Sequence, residues 1–526
     1  MPVQGSHIPL VRIAVTSRWI AALAGALLAT AASAAPGNRD VVRDLAGRVG
    51  PIVGSALACT DIARPRIQTI VDKFAAVIKE ASSNEAERDD LTQLLNRSVA
   101  DGRGAVAAGK IDCRLAERQL ADLERSISGP TLSGVIAPAA AATPPAGAVT
   151  TASQVRGVTD REIRFGIVAP FSGPAKELGR QMKLGIDTAF NRVNDAGGVE
   201  GRMIRLIAAD DGYEPTRTPE AMKQLYEKDQ VFGFIGNVGT PTATVAVPYA
   251  LERRALFFGA FTGANVLRND PPDRYVFNYR ASYAEETAAV VHYLIKLRRL
   301  KPQQIAVFAQ QDSYGDAGFA GVAKAFRALG VSDTTIVRLN YKRNTVDVDE
   351  AVNHLKLQKP PIKAVVMVST YRAAAKFIEK TRDANPGMIY SNVSFVGSTA
   401  LAEELMLLGP RFASGVIVTQ VVPAVAGYSS MVLEYKNALA KYFPGENPDY
   451  VSLEGYVAAN VLIQALKRTG PQLDTEKLID NLEGMRNIDL GLGTSLNFGR
   501  AEHQASHKIW GTAIDDNGRY QPIELE

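Results

Sequence analysis

Arg161–Tyr213, REIRFGIVAPFSGPAKELGRQMKLGIDTAFNRVNDAGGVEGRMIRLIAADDGY, is the stretch that decides the fold. Ile163–Ala169 is a β-rich apolar run, and the turn residues PFSGP (170–174) stop it. Apolar residues then recur at Met182, Ile186, Ala189, Phe190 and Val193, the spacing of one helical face. DAGG (195–198) ends that helix, since glycine enters the left-handed cap conformation without steric cost. A second apolar strand, Met203–Ala209, carries Asp210 and Asp211 at its carboxyl end. Two parallel strands need a crossover of this kind, so the stretch is a βαβ unit. Ligands of such sheets bind beyond the carboxyl ends of the strands.

Downstream the alternation continues. Strands are expected at 230–236, 255–260, 304–309, 336–340, 363–369, 393–397 and 415–421. Helices are expected at 286–299, 317–329, 373–383, 431–442 and 453–468. The fold class is therefore α/β, with parallel sheets flanked by helices. Roughly 370 residues exceed one compact core, so two lobes are expected over 157–526.

Upstream the pattern changes. Residues 35–128 read as a small all-α extension of two to four helices. One face carries Ile67, Ile70, Val71, Phe74 and Ile78, a second Leu91, Leu94, Leu95 and Val99, and a third Leu115, Leu120 and Leu123. Both cysteines of the chain, Cys59 and Cys113, fall here. In an oxidising compartment a bridge between them is expected, contributing roughly 4 kcal/mol in the chain-entropy model; two buried thiols are the alternative. The Ala/Pro/Gly-rich segment 129–156 reads as a flexible linker. In residues 1–34, Arg12 and Arg18 precede the apolar stretch Trp19–Thr30 and small residues up to Ala35. That is the pattern of a signal peptide cut after Ala34, with an uncleaved anchor as the other reading. Export to the periplasm is expected.

Composition removes several classes. Lys plus Arg number 59 against 55 Asp plus Glu in 526 residues, a net +4 that gives no reason to expect nucleic acid. Two cysteines exclude a cysteine-rich zinc module. Of His7, His292, His354, His503 and His507, none lies in a catalytic motif. His503 and His507 have i,i+4 spacing, but Gly499 and the strand-like 509–511 place them on a turn, not a metal-binding helix. Asp210 and Asp211 read as turn caps rather than an acid–base pair, and GFIGNVG (233–239) lacks the lysine of a phosphate loop. Neither catalysis, a cofactor nor a metal is expected.

Four strand ends carry small, hydroxylated or aromatic residues: GNVGTPT (236–242), FGAFTG (258–263), QQDSYG (310–315) and VSTY (368–371). Thr240 and Thr262 set hydroxyls beside the unpaired N–H groups of helix starts, which suits a carboxylate. Tyr314 and Tyr371 each offer an apolar face with a polar tip. The plainer alternative makes the threonines helix caps and the tyrosines loop packing.

The series FGIVAPFSGP, NDAGGVEGRMIRLIAADD, FGFIGNVGTPTA, LFFGAFTGA and QQDSYGDAG resembles the type I periplasmic solute-binding proteins. Within them it is similar to the leucine/isoleucine/valine-binding family of ABC transporters, over about residues 158–522. The resemblance implies two α/β lobes joined by three hinge crossings, lobe 1 at 157–282 and 423–495, lobe 2 at 283–422 and 496–526. It implies an amino acid, or another small carboxylate or amide, held in the cleft and delivered to an inner-membrane ABC permease. Thr240, next to Pro241, and the segment Ala260, Phe261, Thr262 would take the carboxylate, with Tyr314 and Tyr371 closing over it. The family's acidic positions against a ligand ammonium fall around Tyr283–Glu285 and at Ser398–Thr399. Thr399 is no acid, so unless Glu285 supplies the charge the ligand lacks an amine. The helical extension is outside the resemblance and motivates a second reading, a ligand-sensing or interaction protein whose extension docks a partner.

Overall fold

A computed structural model describes residues 38–82, 84–108, 111–127 and 155–525. The expected signal peptide and all but the last two residues of the expected linker lie outside the described residues. The chain divides into two compact units, 1–147 and 148–526.

The first unit holds four helices among the described residues: Asn38–Ala58, Arg64–Ala81, Glu85–Ala107 and Cys113–Ile127. Glycines let the first and third approach backbone to backbone. A Cβ on Gly54 would lie 2.0 Å from the Val99 carbonyl oxygen, and one on Gly102 would lie 2.1 Å from that of Pro51. Ile67, Ile70, Phe74 and Ile78 are buried together with Leu91, Leu95 and Leu120. Leu115 departs from the expected face and is 38% exposed, because Ala116 takes the inward position in the first turn of its helix. Cys59 is bonded to Cys113 with Cα atoms 5.7 Å apart, which ties the end of the first helix to the start of the fourth.

The second unit is built on two sheets. The first contains β1 (Glu162–Ala169), β2 (Met203–Asp210), β3 (Gly233–Ile235), β4 (Leu256–Phe258) and β5 (Val276–Phe277), in the order β2-β1-β3-β4-β5. All its pairings are parallel. β1 and β2 run in register from Glu162 opposite Met203 to Ala169 opposite Asp210, with the helix Lys176–Asp195 between them in sequence. The second sheet contains β6 (Ile305–Gln310), β7 (Val337–Tyr341), β8 (Ala364–Val368), β9 (Ile389–Asn392) and β10 (Ile417–Gln420). Its order β7-β6-β8-β9-β10 repeats the first, and β11 (Trp510–Ile514) and β12 (Tyr520–Ile523) add an antiparallel edge. β6 and β8 are buried at every residue, as strands covered on both faces must be.

One expected strand is misplaced. Residues 393–397 were the apolar run expected to pair, but β9 ends at Asn392, opposite Met367 near the end of β8. Ser394–Val396 forms a single 3₁₀ turn beyond the ladder, so Phe395 is buried by ring packing and not by strand pairing.

The chain passes between the sheets three times, after β5, after β10 and before β11. Between the second and third passages come the helices Ser430–Tyr442, Tyr450–Thr469 and Thr475–Gly484. Tyr450–Thr469 returns to the first sheet's helix Lys176–Asp195, and a Cβ on Gly185 would lie 1.8 Å from the Ser452 carbonyl oxygen. The crossings are bonded to one another. Asn278 N–H donates to the His503 carbonyl at 2.7 Å and Ser506 N–H to that of Tyr279 at 3.0 Å. The Tyr279 hydroxyl donates to the Val421 carbonyl at 2.9 Å.

Gly185→Ala is expected to lower stability by about 1–3 kcal/mol, since the methyl overpacks two helix backbones. Gly484→Ala, where a Cβ meets nothing within 4 Å, is the control and should shift stability by under about 1 kcal/mol. Urea denaturation followed by circular dichroism measures both.

Candidate functional site

The carboxyl ends of both sheets supply the candidate residues. After β2, Asp210 accepts from the N–H groups of Phe171 and Gly212, each at 2.9 Å. Asp211 accepts from Tyr213 N–H at 2.9 Å and from the Thr218 hydroxyl at 2.8 Å. The pair thus holds the turn, and burial pushes the Asp211 carboxyl up to about 6. Gly239 then has φ 111°, a left-handed value, and the space its missing Cβ would need is taken by the Tyr213 ring at 2.4 Å. That turn delivers Thr240 and Pro241 as the buried first residues of the helix Thr240–Glu252.

Thr240 Oγ1 and Thr262 Oγ1 are 2.7 Å apart, in a hydrogen bond whose direction either group can supply. Ala260, Phe261 and Thr262, following β4, are all buried. From the second sheet, Asp312 caps the helix Ser313–Ala328 through Tyr314 N–H at 3.0 Å and sets the Tyr314 ring inward. Phe395 is the hub. Its ring centroid is 4.6 Å from that of Tyr314, 5.1 Å from Phe261, 6.0 Å from Tyr213 and 6.4 Å from Tyr283. Rings from both sheets therefore meet at Phe261, the residue before Thr262. Tyr283 is buried with its hydroxyl beside Thr240 and Thr262, yet that hydroxyl has no hydrogen-bond partner.

The structure thus brings together Thr240, Phe261, Thr262, Tyr283 and Tyr314 from the expected set; Pro241 follows Thr240 in its helix, and Ala260 packs on the other side with Val168 and Phe257. Three others go elsewhere. The Tyr371 hydroxyl donates across to the Pro174 carbonyl, in the loop after β1, at 2.5 Å. Thr399 is half-buried and bonds to Asp449. Glu285 is engaged at the third crossing, where it accepts from Ser282 N–H at 2.7 Å, Gln504 Nε2 at 3.0 Å and meets His507 Nδ1 at 2.6 Å. Burial alone would raise its carboxyl, but His507, Ser282 and Gln504 together pull it down to about 2.

Phe395, Tyr213 and a buried charge network were not anticipated. Arg280, Glu286 and Glu454 are 1%, 0% and 3% exposed. Arg280 Nη2 lies 3.1 Å from Glu286 Oε1, and Nη1 3.6 Å from Glu454 Oε1. Glu286 also accepts from Ser394 N–H at 2.7 Å and from the Thr419 hydroxyl at 2.5 Å. Burial pushes the Glu454 carboxyl up to about 7 despite Arg280. Arg268 clasps the same crossing, donating to the carbonyls of Ala264 and Arg280, each at 2.9 Å, and to Gln504 Oε1 at 2.6 Å. Burial and the neighbouring Arg280 charge bring it down to about 10. No local pattern flags such a network; only the isolated acid and arginine in otherwise apolar runs hint at it. A surface depression of about 660 Å³ runs along the β2 edge past Arg164 and Asp187, away from these rings.

A profile of the periplasmic binding proteins matches residues 162–519. A Leu/Ile/Val-binding protein homologue of Brucella melitensis is 24% identical over 340 residues, covering 63% of this chain and 86% of its own. The crystal structure of a possible leucine/isoleucine/valine-binding protein from Rhodopirellula baltica is 39% identical. It covers 71% of this chain and 98% of its own with a TM-score of 0.66. A substrate-binding periplasmic protein from Ralstonia solanacearum is 26% identical, with a TM-score of 0.63 over 69% of this chain and all of its own. The matched residues begin after the four-helix unit.

Arg280→Met, which leaves buried carboxylates without their cation, is expected to cost about 3–5 kcal/mol in urea denaturation; adding Glu286→Leu should recover part of it. Glu454 titrates higher folded than its ordinary 4.5, so the folded state holds the proton more tightly. Its contribution is therefore full below about pH 4.5 and is lost as pH rises to about 7. Stability measured across that window should fall more steeply in the wild type than in Glu454→Gln.

Proposed function

The chain belongs to the type I periplasmic binding proteins of the leucine/isoleucine/valine-binding family, and from that premise we propose that it is the exported substrate-binding protein of an ABC importer. It takes a small amino-acid-like or other carboxylate ligand between two lobes, 157–282 with 423–495 and 283–422 with 496–526. The observation that carries this reading is the Thr240–Thr262 hydroxyl pair at a helix N-terminus, next in the chain to Phe261, on which Phe395 of the opposite sheet stacks. Unpaired N–H groups and the helix dipole favour an anion there.

Ligand capture works by closure. Thr240 and Thr262 hold the anionic end from the first lobe, and Tyr314 and Phe395 cover it from the second. Contacts across the mouth support a closed form: Tyr371 to Pro174, and Arg343 Nη2 to Glu214 Oε2 at 2.8 Å. A ligand shifts the lobes toward closure only by binding the closed form better than the open one. The leader, residues 1–34, is removed after Ala34 on export to the periplasm, and the closed protein is presented to an inner-membrane permease.

A thermal-shift panel of amino acids, aromatic and aliphatic carboxylates and amides tests this on the purified protein. One chemical class should stabilise it by about 2.7 kcal/mol at a hundredfold excess over Kd. Thr240→Ala should abolish that gain. A panel that is flat for a well-folded protein removes the reading.

A further inference from the structure

We infer that the ligand of this site is a monocarboxylate with an apolar or aromatic body and no ammonium group. The inference rests on the binding reading above and narrows its ligand class.

Consider first what could receive an ammonium. Among the described residues, the acidic side chains bordering the ring cluster are already engaged, Glu454 among them through Arg280 Nη1 at 3.6 Å. Asp211 is held by Tyr213 N–H and Thr218. Asp312 accepts from Tyr314 N–H at 3.0 Å, Gln310 Nε2 at 2.8 Å and Arg343 Nη1 at 2.9 Å. Glu285 is bound to Ser282, Gln504 and His507 at the third crossing. Glu286 is bound to Arg280, Ser394 and Thr419. Ring faces are the other receptor for an ammonium, through cation–π attraction. Here the Arg280 guanidinium already lies 5.0 Å from the Phe261 centroid and 5.8 Å from that of Tyr283. A second cation would meet like charge and spent carboxylates.

The opposite end of a ligand finds the reverse. The hydroxyls of Thr240, Thr262 and Tyr283 converge at the N-terminus of a 13-residue helix. Tyr283 is 1% exposed, and its hydroxyl, beside those of Thr240 and Thr262, completes no hydrogen bond in this arrangement, so three hydroxyls are held out of water within reach of one ligand group. Nε and Nη1 of the fully buried Arg280 likewise complete no hydrogen bond, although Nη1 faces Glu454 Oε1 at 3.6 Å. An α-amino acid gains the hydroxyls but must strip its ammonium of water with no carboxylate to pair it. Its deaminated analogue gains the same hydroxyls and rings without that cost.

Isothermal titration of the purified full chain with matched pairs decides the point: 4-methylpentanoate against leucine, and 3-phenylpropanoate against phenylalanine. The acid of at least one pair is expected to bind about tenfold or more tighter than its amino acid. Tyr283→Phe should weaken that acid about tenfold with the unliganded melting temperature unchanged. An amino acid that binds as tightly as its acid, or tighter, overturns the inference and leaves the binding reading standing. Wild-type affinity in Tyr283→Phe also overturns it, since the carboxylate is then not at this hydroxyl. If no member of either pair and no other carboxylate of the thermal panel binds, the binding reading fails and the inference falls with it.

Discussion

A guanidinium buried to 1% of its surface, that of Arg280, is the constraint on which the arrangement of the two sheets depends. Its partners come from different places: Glu286 from the helix Tyr283–His292 on the second sheet's side, Glu454 from the helix Tyr450–Thr469 that packs on the first. Removing such charges from water costs several kcal/mol per ion, and only their mutual approach offsets it. Arg280 and Glu286 can be buried as a pair, with the Glu454 carboxyl alongside, only where the first crossing, the returning helix and the second sheet take this one arrangement. The backbone around Arg280 is fixed to match. Tyr279 reaches the second crossing at Val421, and Arg268 holds the Arg280 carbonyl and, through Gln504, the third crossing.

Given that arrangement, the meeting of the strand ends follows from topology. Both sheets place their parallel strands in the same order, and each sends loops from its carboxyl edge toward the other. Tyr213, Thr240, Phe261 and Thr262 come from the first sheet, Tyr314 and Phe395 from the second, and Phe395 stacks on Phe261. Strand ends brought together this way set the N-terminus of the helix Thr240–Glu252 close to aromatic faces of both sheets. The loop after β1 is also tied to the second sheet, where the Tyr371 hydroxyl donates to the Pro174 carbonyl at 2.5 Å.

The alternation of strand and helix was legible in the chain because its periods, 2 and 3.6, are local. The βαβ unit at 161–213 and the helical extension could be read this way, and Thr240, Thr262 and Tyr314 stood out because strand ends are where small and hydroxylated residues have no packing reason to gather. What failed was non-local. Phe395 sits in an apolar run that looks like a strand, and only the end of β8 shows that pairing stops before it. Leu115 fits a helical face in sequence but faces outward, since which face is buried depends on the neighbouring helices. A buried arginine such as Arg280 leaves no periodic trace; its partners lie 6 and 174 positions away, and no window of sequence holds all three.

Glu285 and Glu286 are neighbours in the chain that serve different parts of the fold. They are consecutive in the first turn of one helix, so their side chains leave it about 100° apart. Glu285 closes a capping box with Ser282 and extends to His507 and Gln504, which fixes the third crossing to the start of the helix. Glu286 turns inward to Arg280, Ser394 and Thr419 and fixes the first crossing to the second sheet. A shift of one residue in matching the chain to its relatives exchanges a half-exposed cap for a fully buried counter-ion. Each role consumes its carboxylate, and neither leaves an oxygen turned to the rings. The same turn thus locks two of the three crossings, so one pair of adjacent residues ties both passages to the start of a single helix.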